Sequence, residues 1–167
     1  MVLSKNEILD EISKNKLVED FVDLKEQLQP ASFDLTLAKV YEFDSKGALD
    51  FDNSERKICD VREISFNQEG WVDLKPGSYK ARFNETIRLP SSLAGITVSR
   101  SSLARNGCMV HTGFWDPGYS GKGECVIVIG DRGLKLKKNA KIAQMIFFKL
   151  STEATDLYSG MHQNAHL

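Results

Sequence analysis

At 167 residues the chain is long enough for one domain around a single core and too short for two comfortable ones. Hydrophobic content of 41% and charged content of 27% are ordinary for a globular protein, and a formal net charge of −1 excludes a general basic field for nucleic acid. No apolar run approaches the roughly 18 residues that span a bilayer. The first residues place acids inside their apolar pattern, unlike a secretory signal. Cys59, Cys108 and Cys125 are odd in number and lack CxxC spacing, as expected of free thiols in a cytoplasmic protein.

In chain order, residues 4–17 read as an amphipathic helix: Ser4 is the N-cap, Glu7 completes a capping box, and Ile8 and Ile12 share one face. After Pro30 the period changes. Residues 32–37 and 40–43 alternate polar and apolar, as half-buried strands do. The stretch 44–60 is polar and charged, read as an exposed loop with a short strand near its end. Pro76-Gly77 signals a turn ahead of alternating Tyr79, Ala81 and Phe83. Further strands are expected at 87–90, 94–98, 125–129, 134–136 and 142–150. One N-terminal helix followed by many short strands predicts an all-β sandwich or barrel. No repeat or linker interrupts it, so one domain is expected over 1–167, with a helical region at 1–20 and a C-terminal tail at 151–167.

Residues 99–121 carry the chemistry. Arg100 and Arg105 can hold phosphate oxygens by charge-assisted hydrogen bonds, with Ser101 and Ser102 as neutral donors. Alone, that stretch reads equally as a polar loop with solvated charges. Asp116-Pro117-Gly118 alone reads as a turn, and Tyr119 alone as half-buried packing. Within these 23 positions, however, they begin to describe a nucleotide pocket.

Four motifs then resemble, in order, those of the dUTPase and dCTP deaminase superfamily. Gln29-Pro30-Ala31-Ser32-Phe33-Asp34-Leu35 resembles the first in its deaminase form, and Arg100-Ser101-Ser102-Leu103-Ala104-Arg105 the second. The hairpin from Gly113 to Gly121 resembles the third, and Lys141-Ile142-Ala143-Gln144-Met145-Ile146-Phe147 the fourth. The resemblance, closest to archaeal-type dUTP diphosphatases with deaminase-like sequence, implies a distorted jelly-roll-like β-barrel with an N-terminal helix. It also implies a homotrimer with active sites at subunit interfaces. Asp116 matches the carboxylate that activates the attacking water at the α-phosphate, and Tyr119 the aromatic that packs on deoxyribose and excludes a 2′-hydroxyl. Gly113, Phe114, Trp115, Glu124 and Val126 fall in the hairpin and strand that face sugar and base. Arg100, Ser101, Ser102, Arg105 and Gln144 match triphosphate contacts. Mg2+ is expected to be held mainly by substrate phosphates, with no direct protein ligand assigned. Asp34 either supports its water shell or is a buried structural group.

The resemblance also separates the two branches of the superfamily by the chemistry they need. Deaminases carry a proton-shuttling Glu five residues after the Gly that closes the third motif, and that position here is Val126. Glu124, two residues earlier, lies on the same strand face and would need a bulge to replace it. His111-Thr112 is a second departure from the deaminase pattern. The expected activity is therefore hydrolysis of dUTP to dUMP and pyrophosphate. The alternatives are a non-zinc dCTP deaminase, including one that takes dCTP on to dUMP, and an idle nucleotide-binding protein. A zinc deaminase is excluded by the lack of its His/Cys-x-Glu and Pro-Cys-x-x-Cys elements. The Gly-rich arm of typical dUTPases is absent too. Tyr158 and Gln163, in a tail like a shortened deaminase ending, are the candidates to cover the triphosphate. His162 and His166, spaced i,i+4, read as tail rather than as metal ligands.

Overall fold

Ser4 starts the first helix, α1 (Lys5–Asn15), in the computed structural model, which describes residues 1–167. The Glu7 carboxylate accepts from both the amide and the hydroxyl of Ser4, at 2.8 and 2.7 Å, closing the capping box. Ile8 is buried and Ile12 packs partly buried beside it, as the helical spacing requires. A short strand β1 (Val18–Glu19) and the single turn α2 (Leu24–Gln27) follow; the Asp23 carboxylate caps α2 by accepting from the Glu26 amide at 3.1 Å.

The remaining elements are β2 (Phe33–Phe43), β3 (Val61–Ile64), β4 (Trp71–Leu74), β5 (Gly77–Arg88), β6 (Leu93–Ser99), the turn α3 (Ser101–Ala104), β7 (Met109–His111), β8 (Ser120–Ile129), β9 (Leu134–Lys137) and β10 (Lys141–Lys149). The main sheet runs β6-β10-β2-β5-β8-β7, with β1 on β5 and β3 on β2, while β4 and β9 form a separate ribbon. All pairs are antiparallel. The outer strands β6 and β7 meet through one side chain: Ser99 Oγ accepts from the Val110 amide at 2.7 Å and donates to the Val110 carbonyl at 3.2 Å. That contact brings the sheet nearly full circle, and no helix is long and apolar enough to cross a membrane.

The core fills the barrel with Phe33, Leu35 and Leu37 of β2, Phe83 and Ile87 of β5, Ile127 of β8, and Met145 and Phe147 of β10, all buried. Burying each such side chain contributes about 1.5–3 kcal/mol. The two strands expected at 32–37 and 40–43 are a single bent strand, whose register shifts between Leu37 and Lys39. Likewise β5 joins the segments expected around 79–83 and 87–90, with an irregularity between Arg82 and Thr86. The strand expected near the end of the 44–60 loop begins only at Val61. Within the loop, Ala48 and Lys57 form an isolated bridge.

Glu85 sits inside this core, fully buried. Its carboxylate accepts from the Thr36 amide at 2.9 Å, from Gln27 Nε2 at 2.7 Å and from the Thr36 hydroxyl, with no ion pair formed. Burial raises its pKa above the ordinary 4.5, and the hydrogen bonds offset that only partly. A carboxyl that binds its proton more tightly folded than unfolded contributes stability below the unfolded pKa, lost as pH rises through the folded one. A carbon-detected NMR titration should therefore give Glu85 a midpoint above 4.5; a midpoint at or below that value contradicts this account.

Candidate active site

A cavity of about 290 Å3 opens between the β7–β8 connection, strand β8 and the C-terminal tail. Gly113, Phe114, Trp115, Asp116, Tyr119, Glu124 and Tyr158 line it, together with Thr112, Lys122, Gly123, His162, Ala165 and His166. Strand β8 alternates strictly, placing Gly121, Gly123, Cys125 and Ile127 inward and Lys122, Glu124 and Val126 on the outer face. Val126 lines an adjoining cavity of about 380 Å3, with Lys80, His111 and Glu124.

Trp115 is pinned from both sides. Its amide and carbonyl exchange hydrogen bonds with Gly95 of β6 at 3.0 and 2.9 Å. Its ring meets Tyr119 edge-on at 5.1 Å, and Tyr158 crosses Tyr119 at 5.5 Å. Burial pushes the Tyr119 phenol up to about 12, helped by Tyr158 and Glu124 nearby, so its hydroxyl stays protonated at neutral pH. Asp116 is exposed at the cavity mouth, and its carboxylate forms no hydrogen bond or ion pair within the chain.

The tail closes the cavity along one side. The Tyr158 amide donates to Pro117 O at 2.8 Å, the Asn164 amide to Ser120 O at 2.8 Å, and the Lys122 amide to Ala165 O at 2.9 Å. Gln163 is spent on fastening: its amide nitrogen donates to Gly118 O and its oxygen accepts from the Ser120 amide, both at 2.9 Å. It lines neither cavity and anchors the tail, whereas Tyr158 lines the first cavity and packs on Tyr119. Gly118 reads in sequence as a turn residue, yet it has a second constraint. Its φ of +85° favours glycine, and a side chain there would meet Leu157 Cβ at 2.7 Å.

His166 ends the strap. Arg82 Nη1 lies 3.1 Å from its Nδ1, and since arginine can only donate, Nδ1 accepts. Nε2–H is left to donate to Glu124 Oε1 at 3.2 Å, while Lys80 holds Glu124 at 3.1 Å. Sequence reasoning missed Lys122, His162 and His166 as cavity residues. For Lys122 the signal was its alternation with Glu124; the histidines could be placed only once the tail's path was known.

The phosphate candidates stand elsewhere. Arg100 precedes α3, Ser101 and Ser102 are exposed on it, and Arg105 follows it, also exposed. None of these, nor Gln144, lines either cavity just described. Arg100 instead pairs with the fully buried Asp34 at 3.4 Å, and Lys141 reaches the same carboxylate oxygen at 3.7 Å. Gln144 Nε2 donates to Ser32 Oγ at 3.4 Å beside them. Burial raises the pKa of Asp34, while Arg100 and Lys141 oppose that shift. Asp34 Oδ1 has no hydrogen-bond partner. No group of three or more His, Cys, Asp or Glu side chains could hold a metal ion on its own.

Residues 2–150 match the model of a protein family described as dCTP deaminase-like. The chain belongs to that family. It is 43% identical over 168 residues to a "Probable deoxyuridine 5'-triphosphate nucleotidohydrolase" of Methanococcoides burtonii, covering 99% of each chain. An Archaeoglobus fulgidus relative with the same name is 41% identical over 167 residues, covering 99% of this chain and 98% of its own. Among solved structures, the 2'-deoxycytidine 5'-triphosphate deaminase of Agrobacterium tumefaciens superposes with a TM-score of 0.69 at 21% identity. That match covers 87% of this chain and 47% of the deaminase chain, and it shows that the two share the barrel fold.

Gly123 is the most demanding position in the site. A Cβ there would overlap Trp115 Cη2 and come within 2.8 Å of Cζ2. Gly123→Ala should therefore displace the indole, lower the melting temperature through about 1–3 kcal/mol of overpacking, and alter the near-ultraviolet circular dichroism of Trp115. An unchanged spectrum would show that the ring is not held as described.

Proposed function

We propose that the chain is a dUTP diphosphatase, hydrolysing dUTP to dUMP and pyrophosphate. The observation that carries this reading is Asp116: a carboxylate free of intramolecular partners, at the mouth of a cavity walled by Tyr119. The names of the archaeal relatives point the same way. In the proposed reaction deoxyribose packs on the Tyr119 ring, held between Trp115 and Tyr158. Asp116 accepts a proton from water as the water oxygen bonds to the α-phosphorus. The bond from that phosphorus to the bridging oxygen breaks, and pyrophosphate leaves. Magnesium would be carried mainly by the substrate phosphates and would supply charge neutralisation there.

Arg100, Ser101, Ser102, Arg105 and Gln144 are assigned to the triphosphate of a neighbouring subunit's site. Their separation from the cavity within one chain supports sites shared in a homotrimer. So do the exposed apolar side chains Ile96 and Val98 on β6 and Met109 on β7, which a partner would cover. Three free cysteines suit a cytoplasmic setting.

The deaminase alternative needs an acid at the Val126 position, and a bulge in β8 could have supplied it. The irregularity opposite this part of β8 lies in β5, between Arg82 and Thr86, and β8 keeps its alternation. Glu124 thus stays two residues from the required place, tied to Lys80 and His166. Incubation with dUTP and, separately, dCTP in magnesium should yield pyrophosphate and dUMP from the first and no ammonia from the second. Asp116→Asn should lose turnover by about 10²-fold or more while still binding nucleotide. Ammonia from dCTP, or full activity in that variant, would overturn the mechanism.

Tyr119→Ala is expected to hydrolyse UTP at a rate much nearer its dUTP rate, measured as the ratio of kcat/KM values. An unchanged ratio would mean that another group excludes the 2′-hydroxyl.

A further inference from the structure

Arg82 separates two spaces. On one side it holds His166 of the tail; on the other it lines a cavity of about 240 Å3 bounded by β2, β5 and β8. Lys39, Arg82, Lys122 and Lys138 converge there with Asn84, over Ala38 and the buried Phe83, and no carboxylate lines the space. We propose that this cavity is a binding site for a compact oxyanion of the phosphate class.

Four cations around one small space repel one another, and only two of them are neutralised nearby. Lys39 pairs with Glu63 at 2.7 Å and Lys122 with Asp20 at 2.8 Å. Lys138 and Arg82 pair with no carboxylate, since no acid lies within 4.0 Å of either. Arg82 Nε is also buried without any hydrogen-bond acceptor. Arg82 donates from Nη1 to His166, but neither it nor Lys138 has a counter-charge, and an oxyanion in this cavity supplies one to both.

The shape selects the class. The cavity has room for a phosphate or pyrophosphate, but its only aromatic, Phe83, is 1% exposed and offers no face for a base to stack on. It is also distinct from the Arg100 and Lys141 cluster, whose cations already share Asp34. Asn84 Nδ2 is engaged by Thr36 Oγ1 and Asn139 Oδ1, so the site's free donors are Arg82 and Lys138.

The test is calorimetric titration of the intact protein with inorganic pyrophosphate and with inorganic phosphate, independent of any turnover. Arg82→Gln and Lys138→Glu should each weaken pyrophosphate binding by roughly tenfold or more, and Arg100→Ala should leave that component in place. Circular dichroism and melting curves establish that the variants fold; Lys138 is exposed, so its variant stays informative if Arg82→Gln does not fold. Repeating the titration with a non-hydrolysable nucleoside triphosphate present separates the sources. Simultaneous binding identifies a free oxyanion, and Arg82-dependent competition identifies the nucleotide's own phosphates in the same site. Affinity unchanged in Lys138→Glu, or binding only at tens of millimolar with no dependence on these residues, overturns the proposal.

Discussion

The period-two alternation of β8 is the constraint on which the rest depends. From Ser120 to Ile129 every second residue is buried without exception, so the barrel core and the outer cavities are written on the two faces of one strand. A slip of one residue would exchange those faces, pushing Lys122 and Glu124 into the core and Cys125 and Ile127 into water. Burying two unpaired charges is far costlier than any hairpin preference, so the register is fixed by the chemistry of the side chains. The inward glycines matter as much as the apolar residues. Gly123 leaves the space that Trp115 fills, and Gly121 leaves the edge along which Ala165 pairs. Core, pocket wall and tail docking therefore share a single register.

The same strand decides what the site can do to a base. Position 126 faces the adjoining cavity with an isopropyl group where the deaminase branch needs an acid. Glu124 shares that face but is held between an ammonium and an imidazole, and moving it would leave Lys80 and His166 without their acceptor. Tyr119, in contrast, is held by edge contacts with Trp115 and Tyr158 and carries no charge at neutral pH. The site thus combines a rigid, neutral aromatic wall with a carboxylate that nothing in the chain restrains. That arrangement supports the proposed positioning of a sugar and activation of water, with little provision for proton traffic at an exocyclic amine.

Where sequence gave a strong periodic signal, the structure follows it. The capping box at Ser4 and Glu7, the buried face of α1 and the apolar run of β10 could be read directly, because each depends on neighbours in sequence. The joining of two segments into β2, and of two more into β5, could not. Bends and register shifts there are set by partners across the sheet, a non-local cause that short windows do not contain. Ser101–Ala104 read as loop because four residues are too few for a period to show. Asp116, Tyr119 and the hairpin were legible as a site through their clustering and their motif. Their neighbours Lys122, His162 and His166 were not, since the tail reaches the cavity only through long-range backbone bonds.

Asp34 holds one of the phosphate candidates, Arg100, from within the core. Its carboxylate is fully buried, with one oxygen unpartnered and two cations at the other. A single negative charge cannot satisfy an arginine and a lysine together, so the group keeps an excess positive charge. The side chains of Arg100 and Lys141 stay 28% and 30% exposed, while Arg100 Nη1 and Lys141 Nζ also donate to the Lys141 and Glu26 carbonyls. Asp34 therefore works as a positioning residue: it orients two long side chains whose rotamer freedom would otherwise be lost only on binding. Under the proposed function the triphosphate meets cations held in place in advance, by an acid that does not itself reach the surface.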